Sequence, residues 1–261
     1  MSEAVLAKLA AQLAANAHPL CAWVGMNDPA VAELLAREAY DAVVLDMQHG
    51  ALDFAGASRA ILSVALAGKP AIVRVPVGEF ALASRVLDAG AAGIIAPMIN
   101  SGDDARRLVE FTKFPPLGER SWGPRAALTL SGLDGPAYLN AANAMTQTIA
   151  MIETRAALDA LDDILGVEGV DGVFIGPSDL SIALSRGRSV EPRGAALLDE
   201  LPRSVERAGA RGKNAATFCF DGADARAMLA VGFRLCSVAT DQLLLRGAAR
   251  TELTAARAAG A

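Results

Sequence analysis

From residue 20 onward the chain alternates short, almost unbroken apolar runs with longer stretches in which apolar residues recur at helical spacing. The runs are Cys21 to Met26, Ala42 to Met47, Ala71 to Val75, Gly93 to Pro97, Thr148 to Ile152, Gly172 to Ile175, Ala215 to Cys219 and Arg234 to Val238. Runs that are apolar throughout, rather than alternating, suit parallel strands covered on both faces. Their alternation with helical stretches is the pattern of repeated β-α units. The helical stretch Ala30 to Ala39 opens on Asp28, a good N-cap, and Pro29, whose fixed φ suits the first helical position. Eight such units in about 250 residues predict a (β/α)8 TIM barrel, with residues 1–261 as one domain. A doubly wound open sheet is the rival. It lacks its nucleotide fingerprint, since no G-x-G-x-x-G follows the first run and no G-x-x-x-x-G-K-[ST] occurs.

Three segments stand outside this alternation. Met1 to Asn16 is rich in alanine and leucine but broken by Glu3 and Lys8, which reads as an amphipathic helix of a cytoplasmic protein and not as a leader. Phe114 to Asn143 is long and studded with Pro115-Pro116, Gly118, Gly123-Pro124, Gly132 and Gly135-Pro136, which predicts a lid or binding loop. Its stretch Gly118 to Arg125 offers anion contacts or a lid, although solvated loop arginines are the plainer alternative. The tail from Asp241 to Arg257 carries Leu243, Leu244, Leu245 and Leu253, more apolar surface than a terminal helix on an isolated barrel needs, and predicts an oligomerisation helix.

Composition narrows the partners. With 53% apolar residues the chain can bury a large core. Twenty-four Lys plus Arg against 29 Asp plus Glu give a net charge of −5, with no basic run, so a nucleic-acid partner has no electrostatic footprint. No segment reaches the roughly eighteen unbroken apolar residues of a membrane span. A small-molecule substrate is the remaining expectation. Cys21, Cys219 and Cys236 lack C-x-x-C spacing and sit in apolar runs, which argues for core cysteines.

In a barrel the reacting groups sit where strands end. Glu153 and Asp179 follow consecutive strands and would face the same part of the mouth. Two close carboxylates repel unless protonated or bridged by a cation, and oxygen ligands with room for water suit Mg²⁺ or Mn²⁺. Alternatively each could simply meet the dipole of the helix that follows. His49, three residues after Asp46 in the loop leaving the second strand, is placed for a carboxylate to orient its ring as a general base, although a lone loop histidine can also be incidental. Arg74 interrupts a β-branched run and needs a carboxylate or a substrate oxyanion as partner. Of the four lysines, Lys69 and Lys213 precede strands, and Lys8 and Lys113 read as helical or loop surface. None stands in the mouth, so a Schiff-base mechanism lacks its nucleophile and carbonyl activation falls to a metal.

Five motifs in order, Asp46-Met47-Gln48-His49-Gly50, Val73-Arg74-Val75-Pro76, Ala89 to Met98, Met151-Ile152-Glu153-Thr154 and Asp171 to Ser181, resemble the HpcH/HpaI family of class II pyruvate aldolases over roughly residues 20 to 240. The resemblance implies a (β/α)8 barrel that cleaves 4-hydroxy-2-oxo acids to pyruvate and an aldehyde. It implies Glu153 and Asp179 as ligands of a divalent metal (Mg²⁺, Mn²⁺ or Co²⁺), His49 supported by Asp46 as base, and Arg74 at the enolate oxygen. It also implies the backbone N–H groups of Ser178 and Asp179 at the pyruvate carboxylate, and a homohexamer. The pattern departs at Met151, where many relatives carry Gln, which bears on aldehyde preference. A related metal-dependent lyase acting on a phosphoenolpyruvate-type or acyl-CoA substrate is the alternative, and a non-catalytic binding barrel the third reading.

Overall fold

The apolar runs become eight strands in a computed structural model that describes residues 4–258. They are β1 (Leu20–Val24), β2 (Ala42–Asp46), β3 (Ala71–Arg74), β4 (Gly93–Ala96), β5 (Gln147–Ile152), β6 (Gly172–Ile175), β7 (Asn214–Cys219) and β8 (Leu235–Val238). Every neighbouring pair is parallel, and β8 closes onto β1 with Cys236 opposite Leu20. The TIM barrel expected from the sequence is the architecture found. Strand ends differ from the sequence reading by one or two residues because the ladders set them: β1 stops where Val24 meets Leu45, and β2 where Asp46 meets Arg74.

Strand periodicity divides the core in two. Cys21 and Trp23 of β1, Val44 of β2, Ile72 of β3 and Phe174 of β6 join one buried cluster inside the barrel. Their alternates, such as Ala22, Val43, Val73 and Val173, join the second, between barrel and helices. With both faces buried, no polar alternation is left in the sequence. The first long helix spans Pro29–Arg37, and the Asp28 carboxylate accepts the Ala30 N–H at 2.9 Å, as its N-cap position predicted. All three cysteines are buried and free.

The N-terminal end of the barrel is plugged. Of the stretch read as an N-terminal helix, residues 1–3 lie outside the described residues. The rest forms a short 3₁₀ turn and the helix Lys8–Ala14, which deliver Leu6, Leu9 and Leu13 to the inner cluster. The segment expected to be a lid belongs to this plug. It folds into helices Arg125–Ser131 and Gly135–Met145, and its Phe114, Ala127, Tyr138 and Ala142 pack with the same leucines, at the end opposite the mouth. Arg120 is buried, ion-paired to Asp88 at 2.7 Å and stacked 4.6 Å from the centre of the Phe114 ring, so it is no exposed anion ligand. Lys113 also corrects the sequence reading: it is fully buried, and its ammonium donates to the carbonyls of Asn143 and Thr146 and to Asp171, each at 2.7 Å. Glycine and proline there shape tight corners between short helices, which a sequence cannot tell from a loop.

The described residues end in the helix Asp241–Ala258, of which Asp241 alone is buried. Among the described residues no helix is long and apolar enough to cross a membrane.

Candidate active site

The C-terminal ends of the strands surround a cavity of about 280 Å³. Asp46 and Arg74 are the last residues of β2 and β3, directly opposite in the ladder, and both turn inward. Arg74 donates from Nε to Asp46 Oδ1 (2.9 Å) and from Nη2 to Oδ2 (2.6 Å), a two-pronged ion pair. The Trp23 indole N–H donates to the same carboxylate at 3.2 Å, and its ring lies 4.9 Å from the Arg74 guanidinium carbon. Burial pushes the Asp46 carboxyl up, but the bonds and charge of Arg74, with the N–H groups of His49 and Trp23, outweigh it and hold the group below the usual carboxylate range. Asp46 is therefore a fixed anion, and Arg74 has found the carboxylate partner that its burial demanded.

His49 lines the cavity, but Asp46 does not touch its ring. Asp46 Oδ1 instead accepts the backbone N–H groups of Gln48 (3.0 Å) and His49 (3.2 Å). The expectation that this carboxylate orients the imidazole is corrected: it shapes the turn on which His49 stands, because Arg74 and Trp23 already occupy the carboxylate's inner side. The His49 side chain is exposed and has no hydrogen bond among the described residues.

Glu153, one residue past β5, is 2% exposed and sits behind the cavity wall. Its Oε1 accepts the Met98 N–H at 2.8 Å, a donor aimed by the left-handed backbone of Met98 (φ 56°). Oε2 faces Gly176, where a Cβ would approach it and the Met151 methyl to 2.7 Å each, so that a larger residue there would push one of these side chains aside. Burial raises the Glu153 carboxyl above its ordinary range; the Met98 N–H opposes this, the charge of Asp179 raises it further, and the charge of Arg74 partly offsets the rise. Asp179 lies in the first turn of helix Pro177–Leu184, exposed to the cavity, and its carboxylate has no hydrogen-bond donor among the described residues. The backbone N–H groups of Ser178 and Asp179, at the same helix start, have no protein acceptor there either. Five of the six expected site residues thus line one cavity, with Glu153 directly behind it.

A family model for HpcH/HpaI aldolase/citrate lyase matches residues 20–248. The chain belongs to this family. It is 41% identical over 239 residues to a hydroxypyruvate/pyruvate aldolase of Rhizorhabdus wittichii, covering 92% of this chain and 94% of the relative. A hydroxypyruvate/pyruvate aldolase of Roseovarius nubinhibens is 36% identical, with 88% and 89% covered. The crystal structure of an HpcH/HpaI aldolase/citrate lyase family protein from Burkholderia cenocepacia superposes with a TM-score of 0.86 at 31% identity, covering 96% of this chain and 99% of that one. As a member of the HpcH/HpaI family the protein is an enzyme, a carbon–carbon lyase of the aldolase type.

Sequence reasoning missed several residues of this HpcH/HpaI site. Trp23 gave no signal beyond its type, sitting inside an apolar run. Met98 contributes its backbone, and backbone roles have no side-chain signature. Asp241 was read only as the start of an oligomerisation helix, yet it lines the cavity. Phe174 and Phe218 also line the cavity, with ring centres 5.7 and 5.4 Å from that of Trp23, and Met151, noted in the sequence for its departure from the family pattern, lines it beside Gly176.

Proposed function

We propose that this enzyme reversibly cleaves 4-hydroxy-2-oxo acids to pyruvate and an aldehyde, with a divalent cation held by Glu153 and Asp179. The observation that carries the proposal is the uneven charge of the mouth. Asp46 and Arg74 neutralise each other, whereas Glu153 and Asp179 face each other's charge with one N–H donor between them. Two carboxylates, with no group of three or more His, Cys, Asp or Glu among the described residues, are a hard oxygen donor set that leaves room for water and substrate. That suits Mg²⁺, Mn²⁺ or Co²⁺ better than a closed thiolate or histidine cage. Bound there, the cation would supply Lewis-acid stabilisation for the charge that develops on the 2-oxo oxygen.

The chain's own groups supply the rest. The free N–H groups of Ser178 and Asp179, at a helix N-terminus, bind the substrate carboxylate. Arg74, steadied by Asp46, presents its remaining N–H donors to the 2-oxo oxygen as negative charge grows there. His49 takes the proton of the 4-hydroxyl, the C3–C4 bond breaks, its electron pair passes into the enolate, and C4 leaves as the aldehyde. Protonation at C3 completes pyruvate. The apolar side chains of Met151, Phe174 and Phe218 line the same cavity, which the aldehyde would share. The relatives' names extend the 2-oxo acid to be tested from pyruvate to hydroxypyruvate.

The enzyme is also inferred to be a homo-oligomer, a hexamer by the resemblance. Leu243, Leu244, Leu245 and Leu253 are 48%, 38%, 60% and 53% exposed on a helix that the rest of its own chain leaves uncovered. Light scattering at micromolar concentration checks this, and a monomeric mass would refute it. For the reaction, the test is a panel of aldehydes with pyruvate or hydroxypyruvate, read by mass spectrometry after chelation and after metal is restored. Adducts that form only with metal are expected. Absence of adducts with every metal would overturn the proposal.

A further inference from the structure

We propose that Asp241 is a positioning residue for His49, acting through the backbone of the loop that leaves β1. The inference rests on the role given to His49 for one of its two tests and is independent of that role for the other. Asp241 opens the C-terminal helix and is 4% exposed. Its Oδ2 accepts the N–H groups of Gly25 (3.0 Å) and Met26 (2.8 Å), and Oδ1 accepts that of Gln242 (2.8 Å). A buried carboxylate holding N–H groups of a loop 216 residues away fixes that loop, since charge-assisted bonds of this kind are the strong ones.

The held loop in turn holds the loop of His49. The Gly25 carbonyl accepts the Ala51 N–H at 2.8 Å. Gly50 lies so close that a Cβ on it would stand 2.8 Å from the Gly25 carbonyl oxygen and 2.2 Å from that of Asp46. The His49 loop is therefore gripped at both ends, by Asp46 through the N–H groups of Gln48 and His49, and by Gly25 through Gly50 and Ala51. Asp241 is the outer anchor of the second grip. The turn that brings it there is itself strained: Ala239, leaving β8, adopts a left-handed backbone (φ 58°) although it carries a side chain. Such strain persists where the surroundings over-determine the conformation, as at a site whose geometry matters.

The experiment compares Asp241→Ala and Asp241→Asn with the wild type by two measurements. Amide hydrogen exchange is followed by mass spectrometry in peptides covering residues 24–27, 47–52 and, as a control, 172–176. Exchange in the first two is expected to rise about tenfold or more in Asp241→Ala, with the control unchanged, as for local opening of a loop that has lost its anchor. In parallel, kcat/KM is measured for a 4-hydroxy-2-oxo acid and for oxaloacetate at saturating metal. Decarboxylation of oxaloacetate reaches the same enolate without a base at a 4-hydroxyl. Cleavage is expected to fall about 10- to 100-fold, chiefly in kcat, from misplacement of the base, with decarboxylation within about twofold. Asp241→Asn, which keeps one acceptor, should lie between and serves if the alanine variant does not fold. Unchanged exchange at 47–52 overturns the inference, as do equal losses in both reactions. If the wild type cleaves no 4-hydroxy-2-oxo acid, the proposed function fails, and the exchange result alone decides for or against the grip.

Discussion

At the N-terminal end of the barrel, Lys113 is fully buried and its ammonium meets three acceptors, Asp171 and two carbonyls. At the C-terminal end, Glu153 is buried almost as completely but receives one backbone N–H and faces the charge of Asp179. Burial disfavours the charged form in both, lowering the proton affinity of Lys113 and raising that of Glu153. The difference lies in what surrounds the charge. Three donors matched by three acceptors make a staple between the plug and the start of β6, whereas two like charges with acceptors to spare are what the proposed cation would answer. Depth alone does not mark a functional charge; unmatched hydrogen-bonding capacity at the mouth does.

The sharpest way to break this comparison is to remove the unmatched pair. Glu153→Gln or Asp179→Asn should lower aldol cleavage by about 10³ or more, the equivalent of several kcal/mol of lost charge stabilisation. Thermal unfolding of the metal-free Glu153→Gln variant should not be lowered, because a costly buried charge has gone; a clear fall in Tm would mean that Glu153 is a structural group. Next in size is Arg74→Ala. Cleavage and oxaloacetate decarboxylation should both drop about 10²–10³-fold, as for a lost donor to a developing oxyanion. Asp46, left buried without its partner, should also cost stability, about 3–5 kcal/mol by denaturant unfolding.

His49→Ala should lower cleavage by about 10²–10⁴ while sparing much of the decarboxylation; equal losses in the two would assign the histidine to metal or fold. At the other end of the barrel, Lys113→Met should leave kcat/KM unchanged and cost about 1–3 kcal/mol of stability, since two carbonyls and Asp171 lose their donor. An activity loss there would erase the contrast between the two ends. The smallest effect concerns pH. The folded-state carboxyl of Asp46 is held below its unfolded value, so its contribution is complete above that value, near 4, and is lost as pH falls through the lower folded value. Unfolding measured from pH 5 down to pH 2 should therefore show a steeper loss in the wild type than in Asp46→Asn.

Much of this was legible in the sequence for a physical reason. A parallel strand covered on both faces must be apolar along its length, so Asp46, Arg74, Glu153 and Asp179 stood out where such runs ended. What stayed hidden depended on distant partners. Gly- and Pro-rich spacing made the plug look like a lid, and only the fold brings Phe114, Trp122 and Tyr138 together, with ring centres 5.7 to 6.4 Å apart. Lys113 looked like surface because its acceptors lie 30 to 58 residues further along the chain. Asp46 stands three residues from His49, yet its carboxylate is taken by Arg74 from the neighbouring strand. Separation in sequence is a poor guide to which of two candidate partners a carboxylate will choose.

The central claim, that the mouth's unmatched carboxylates take a cation for enolate chemistry, is tested most directly without any aldehyde. Deuterium exchange into the methyl group of pyruvate, followed by proton NMR, reports enolate formation alone. The account predicts that exchange stops after exhaustive chelation, returns with Mg²⁺, Mn²⁺ or Co²⁺, and is not restored by any of them in Glu153→Gln. Full exchange by the chelated enzyme, or covalent trapping of pyruvate by borohydride, would contradict it.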